Sequence, residues 1–143
     1  AWKDLDFIIV DMPPGTGDTQ LTFAQEIIMD GVIIISTPQE IALQDVKRGI
    51  KMFEKLKVNI LGLVDNMSFF IGEDGKKYNI FGDKGVENVS KEFNKRILSK
   101  IPINPLIGYQ GDIGKPIVES LPEDKSSIIY INLANQLKKE FGL

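Results

Sequence analysis

At 143 residues, 43% apolar and 26% charged, the chain is long enough to bury one core and has ordinary globular composition, which excludes disorder. A net charge of −3 with scattered basic residues leaves no footprint for nucleic acid, and the longest apolar runs, Phe7 to Val10 and Val32 to Ile35, are too short to cross a bilayer. With no Cys and no His, thiolate and imidazole nucleophiles, disulfides and the preferred ligands of zinc and iron-sulfur clusters are absent. Chemistry here must rest on carboxylates, hydroxyls and backbone amides. Lys55-Leu56-Lys57 and Lys138-Lys139 read as solvated helix faces, and with no secretory signal at its start the chain is expected in the cytoplasm.

The first element, Phe7 to Val10, is a continuous apolar run and reads as a strand buried on both faces, ending at Asp11. Pro13-Pro14-Gly15-Thr16-Gly17 follows as a loop. Ligands of open α/β sheets sit outside the carboxyl ends of such strands. Glycines there let backbone amides approach phosphate oxygens, and a strand-terminal Asp can hold the water shell of Mg²⁺. An ordinary strand-to-helix connection has the same composition, so the loop alone leaves both readings open.

Asp18 reads as an N-cap, and Leu21, Ala24, Ile27 and Ile28 repeat at helical spacing, so a helix is expected from Thr19 to about Met29, stopped by Asp30-Gly31. Val32 to Ser36 is a second buried strand. Thr37-Pro38-Gln39-Glu40 has capping-box spacing, and Leu43, Val46, Ile50 and Phe53 stripe the helix behind it. Asn59 to Val64 is a third strand, ending at Asp65-Asn66, where Asn is a common turn former. Phe69 to Ile80 reads as a hairpin or an ordered excursion turning at Asp74-Gly75. A helix from about Lys84 to Lys95 and a short strand from Ile97 to Ile101 follow. Pro102-Ile103-Asn104-Pro105 is at least a rigid turn, Tyr109 to Val118 a connecting stretch, and Tyr130, Leu133, Ala134, Leu137 and Phe141 the face of a final helix. Strands alternating with helices imply an α/β fold with a parallel, doubly wound sheet and flanking helices.

The string DMPPGTGD resembles the Walker B and switch II segment of the Mrp/ApbC family of iron-sulfur cluster carrier ATPases, which are MinD-like deviant P-loop NTPases. STPQEIALQDVKRGIKMF, VDNMSFF, IFGDKG, IPINP and GKPIV follow in that family's order and spacing, so the resemblance covers essentially the whole chain. It implies ATP and Mg²⁺ as cofactors. Asp11 would orient the metal through water, Gly15 would offer its backbone N–H to the γ-phosphate, and Thr16, Gly17 and Asp18 would let the loop switch on hydrolysis. Asn66 would recognise the adenine base, since an amide both donates and accepts at a purine edge, and the loop with Pro102 and Asn104 would close over that base. Asn104 stands where the family more often has Asp.

Two departures qualify the resemblance. Most such carriers have a Cys pair whose thiolates hold a bridging [4Fe-4S] cluster between two subunits, and Gly72-Glu73-Asp74-Gly75 occupies that slot, with glycine in place of both cysteines. The phosphate-gripping Walker A loop, which in the family lies upstream of this segment, occurs nowhere in the chain. Residues 1–143 are therefore expected to be a single unit, the C-terminal portion of a P-loop ATPase domain. It would not turn over alone, and without the Walker A strand its sheet would expose an aggregation-prone edge. The resemblance further implies a homodimer in full-length form and iron-sulfur apoproteins as recipients, with no nucleic acid or membrane partner. Three alternatives stay open: a cluster-free partner of a Walker A-bearing chain, an inactive remnant, or a MinD/ParA-type positioning ATPase. The last lacks support from any basic amphipathic C-terminal helix.

Overall fold

The computed structural model describes residues 3–12 and 17–143. In chain order its elements are α1 (Asp18–Glu26), β1 (Val32–Ser36), α2 (Glu40–Lys55), β2 (Ile60–Asp65), β3 (Phe70–Ile71), β4 (Lys77–Tyr78), α3 (Gly85–Glu92), β5 (Ile97–Lys100), α4 (Pro105–Asp112), α5 (Ile117–Ser120) and α6 (Lys125–Glu140). The main sheet is parallel in the order β1, β2, β5, and β3 pairs antiparallel with β4. β2 has a neighbour on each side, and its residues 61–65 are all buried, which is why this strand is a near-continuous apolar run. The α2 stripe read from the sequence is the one buried: Leu43, Val46 and Ile50 pack with Leu63 of β2 and with Val86 and Val89 of α3. A second cluster joins Ala24 of α1, Val32 of β1 and Phe53 of α2, with Met12 against it. Among the described residues no helix is long and apolar enough to cross a membrane.

Several expectations need correction. Residues 7–10 form no strand; Ile9 is 89% exposed and Ile8 61%. A strand buried on both faces needs ladder partners and covering helices, and among the described residues this run pairs with no strand, the main sheet being β1, β2 and β5 alone. Its anchors are the edge-on contact of Phe7 with Phe141, at 5.8 Å between ring centroids, and the packing of Met12. The helix after the loop is shorter than expected: Gly17, not Asp18, is its N-cap, and it ends at Glu26. Ile27 and Ile28 lie past its end and are exposed, while Asp18 in the first turn still favours the positive helix end. The expected capping box does not form either. Gln39 is the N-cap of α2 without a side-chain bond, and Thr37 Oγ1 lies 3.5 Å from Gln39 Oε1 rather than on a backbone amide. The stretch from Tyr109 to Val118 is not a plain connector, since it holds the second half of α4 and the first half of α5.

The start of α4 carried a local signal that the turn reading of Pro-Ile-Asn-Pro obscured. Asn104 is the N-cap, its Oδ1 accepting from Leu106 N–H at 3.0 Å, with Pro105 at the first helical position. The Asn104 Nδ2 donates to Asp124 Oδ1 at 3.2 Å and to Ser126 Oγ at 3.0 Å. Asp124 is itself the N-cap of α6, accepting from Ser126 N–H at 2.8 Å. Two helix caps are thus bonded to one another, and this fixes the exit of β5 relative to α6.

Two outcomes follow from these contacts. The 143-residue chain alone should self-associate through the open edge of β1, where Ile35 is 62% exposed, and through residues 7–10. Ile9→Lys combined with Ile35→Lys should raise the monomer fraction in size-exclusion chromatography with light scattering, and a monodisperse wild-type monomer would refute the assignment. Asn104→Asp, which sets two carboxylates against each other, should lower stability at neutral pH by about 1–3 kcal/mol in thermal or denaturant unfolding. Asp124→Asn in the same chain should recover most of that loss, because Asn caps a helix as well as Asp; failure to recover would mean the two caps are not coupled.

Candidate functional site

The three parallel strands end side by side, with Ser36, Asp65 and Lys100 in register. Their carboxyl ends are where an open α/β sheet offers a crevice. Past this line the chain is tied down by its own backbone. Asn66 N–H donates to Ser36 O at 2.7 Å, Ile101 N–H to Asp65 O at 2.9 Å, Ser68 N–H to Ile101 O at 2.9 Å, and Ile103 N–H to Phe69 O at 2.7 Å. Ser68 Oγ adds a bond to Ile101 O at 3.2 Å, and Phe70 bridges Ile103 as a parallel pair. The turn after β2 and the exit loop after β5 are therefore one clamped unit. It brings the turn of Asn66 to the loop of Pro102 and Asn104, more than thirty residues further along the chain.

Within this unit the side chains differ in what remains available. Asn66 is half-buried and its Oδ1 accepts from Met67 N–H at 3.0 Å, in a turn where Met67 takes a left-handed φ of 53°. Among the described residues its Nδ2 has no partner, so a donor is left for a ligand. The Asn104 side chain is engaged with Leu106, Asp124 and Ser126, so its part in such a site would be to hold the loop. Pro102 is half-buried beside it.

Sequence reasoning passed over Asp65 as a strand end. It is 6% exposed, and its Oδ1 has no hydrogen-bond partner. Burial pushes its carboxyl above the ordinary carboxylate range, opposed by the nearby Lys100 ammonium. Lys100 is ion-paired with Glu87 of α3, which holds Glu87 below its usual value and raises Lys100. The available signal was an ionisable residue closing an otherwise apolar strand.

The catalytic and metal assignments concentrate on the other loop. Asp11 is exposed and makes no hydrogen bond or ion pair among the described residues, and Gly15 and Thr16 lie outside them. Among the described residues no three carboxylates assemble where they could hold a metal ion.

The slot at Gly72 and Gly75 is shaped by its own hydrogen bonds. Asp74 accepts from Lys76 N–H at 3.0 Å and from the Tyr78 hydroxyl at 2.8 Å, and these bonds hold its carboxyl below the usual range and raise the phenol of Tyr78. A Cβ at Gly72 would lie 2.8 Å from both Asp74 Oδ1 and Tyr78 Cε2, and Gly75 has a φ of +73°, which strains any L side chain. The residues present supply no thiolates, a side chain at Gly72 would be crowded and one at Gly75 would be strained by its backbone although it has room, so the slot does not fit an iron-sulfur cluster held by a Cys pair.

Comparison with known proteins bears on the family and the fold. A family model described as NUBPL iron-transfer P-loop NTPase, of the ParA group, matches residues 1–138. The iron-sulfur cluster carrier protein of Synechocystis sp. is 46% identical over 138 residues, 95% of this chain and 39% of that protein. Its counterpart in Escherichia coli is 44% identical over 137 residues, 95% of this chain and 37% of that protein. The chain thus spans well under half the length of the curated relatives it matches. A nucleotide-binding protein from Archaeoglobus fulgidus, solved in complex with ADP, superposes with a TM-score of 0.64 at 33% identity, over 73% of this chain and 43% of that one. The septum site-determining protein MinD of Pyrococcus horikoshii, solved with Mg-ADP, gives a TM-score of 0.61 at 24% identity, over 79% of this chain and 43% of that one, which shows the fold alone. The chain has the mixed α/β, parallel-sheet fold of the MinD-like P-loop NTPases and belongs to the NUBPL iron-transfer P-loop NTPase family, whose curated members include the iron-sulfur cluster carrier proteins.

Proposed function

We propose that this chain forms the switch and base-contact part of an ATP-binding iron-sulfur cluster carrier, within a longer polypeptide that supplies the phosphate-gripping loop. The observation that carries the reading is the backbone clamp joining the Asn66 turn to the Pro102–Asn104 loop at the carboxyl end of the sheet. Asn66 Nδ2 donates to the base, Pro102 packs beside it, and Asn104 holds the loop in place through its cap. Asp11 would hold the water shell of Mg²⁺, Gly15 would offer its backbone N–H to the γ-phosphate, and Thr16 with Gly17 and Asp18 would let the loop switch on hydrolysis. Mg²⁺ supplies charge neutralisation, and the protein supplies positioning. The protein works in the cytoplasm as a homodimer and hands clusters to apoproteins.

The hairpin favours a second reading for the cargo. A slot closed by Asp74 and Tyr78, with glycine at both thiolate positions, supports a cluster-free partner that keeps the nucleotide switch and leaves cluster ligation to other residues or another chain.

In the full-length protein Asp11→Asn should keep the fold and lower Mg²⁺-dependent ATP hydrolysis by about tenfold or more, on the order of 1.4 kcal/mol per tenfold. Undiminished hydrolysis would sink the role of Asp11. Anaerobic reconstitution of the present chain with iron and sulfide, followed by desalting, should leave no charge-transfer absorbance and no bound iron. Stoichiometric retained cluster would refute the cluster-free reading of the hairpin.

A further inference from the structure

Gly85 opens α3 at a position where the backbone does not require glycine, since its φ lies outside the left-handed region and Ala is the better helix former. Space requires it. A Cβ there would overlap the Pro38 carbonyl oxygen and lie 2.7 Å from Leu43 Cδ1, and among the described glycines no other meets a neighbouring atom so closely. A backbone oxygen cannot swing aside as the end of a side chain can, so the start of α3 closes on the loop leaving β1 only because residue 85 has no side chain. The contact also has an electrostatic reason. Lys84, the N-cap of α3, makes no side-chain cap bond, and the negative end of the Pro38 carbonyl lies against the positive end of the helix.

The loop held in this way is the one that carries Asn66. Ser36 and Pro38 are buried, Ser36 Oγ donates to Thr37 O at 2.9 Å, and Ser36 O accepts the Asn66 N–H at 2.7 Å. The bonds to the 101–103 loop involve Asp65, Ser68 and Phe69, so Ser36 is the backbone tether of Asn66 itself. The same turn of helix reaches the other flank, where Glu87 is ion-paired with Lys100 at the end of β5. The first turn of α3 thus touches the exits of both strands that flank β2.

We propose that Gly85 is a positioning residue of the Asn66 turn: by letting the start of α3 close on the Pro38 carbonyl it fixes residues 36–38, the Ser36 carbonyl fixes the Asn66 backbone, and the turn is held where its side chain meets a purine base. The last clause rests on the proposed nucleotide function, whereas the fixing of the turn stands on the fold alone.

The test uses the full-length protein with Gly85→Ala, a change that helix propensity alone would favour. Hydrogen exchange at the Asn66 amide should quicken roughly tenfold, while the Val32 amide, bonded to Asn59 O at the opposite end of β1, should keep its rate. Gly85→Ala should weaken ATP several-fold and leave inorganic tripolyphosphate unchanged, since only ATP carries a base. An unchanged Asn66 rate overturns the proposal, and so does equal quickening at Asn66 and Val32, which would mark a general loss of stability. Equal losses for ATP and tripolyphosphate overturn the base-specific clause. A wild-type protein that binds neither ligand would refute the nucleotide function while the exchange result still decides the role of Gly85. If Gly85→Ala does not fold, wild type decides. The Asn66 amide and the Asn88 amide, whose bond to Lys84 O at 2.8 Å closes the first turn of α3, should exchange through one shared opening with one denaturant dependence, and separate openings would overturn the proposal.

Discussion

The ladder that β2 makes with a strand on each side is the constraint on which the rest of the structure depends. It buries residues 61–65 and gives α2 and α3 a common surface at Leu63. It also sets the ends of three strands level, so the loops leaving them meet. Loss of that strand's packing would remove the core and the site together, because Leu63 and Asp65 lie two residues apart on the same strand.

How much was legible in the sequence depended on whether the signal was local. The α2 stripe at Leu43, Val46, Ile50 and Phe53 was read correctly because helical periodicity needs no knowledge of partners, and the hairpin turn at Gly75 because only glycine is at ease with its φ. The Phe7 to Val10 run failed for the opposite reason. Its composition is that of a buried strand, but being one requires neighbours, and neighbours are a property of the sheet. Similarly, α4 was missed because Gly108 and Gly111 dilute its pattern, although Asn104-Pro105 announced its start.

Of the site, residue types were legible and relationships were not. The strings around Asn66 and Pro102–Asn104 stood out separately, but nothing in one dimension says that Ser68 and Ile103 bond across to each other's loops. Nor could the sequence show that Asn104 is engaged with Asp124 and Ser126, or that Asp65 is sealed from water while Asp11 is exposed. Burial separates these two carboxylates, and each ends an apolar run of similar length. The difference lies in the strands beside them.

The hairpin of β3 and β4 carries a consequence of its own. A loop ordered by metal depends on redox conditions and on metal supply, and opens when either fails. Here a carboxylate, a phenol and two glycines do the closing, so the tip keeps its shape in air and in the presence of chelators. Its sensitivity is transferred to acid, where protonation of Asp74 takes away the charge that strengthens the bonds from Lys76 N–H to Oδ1 and from the Tyr78 hydroxyl to Oδ2.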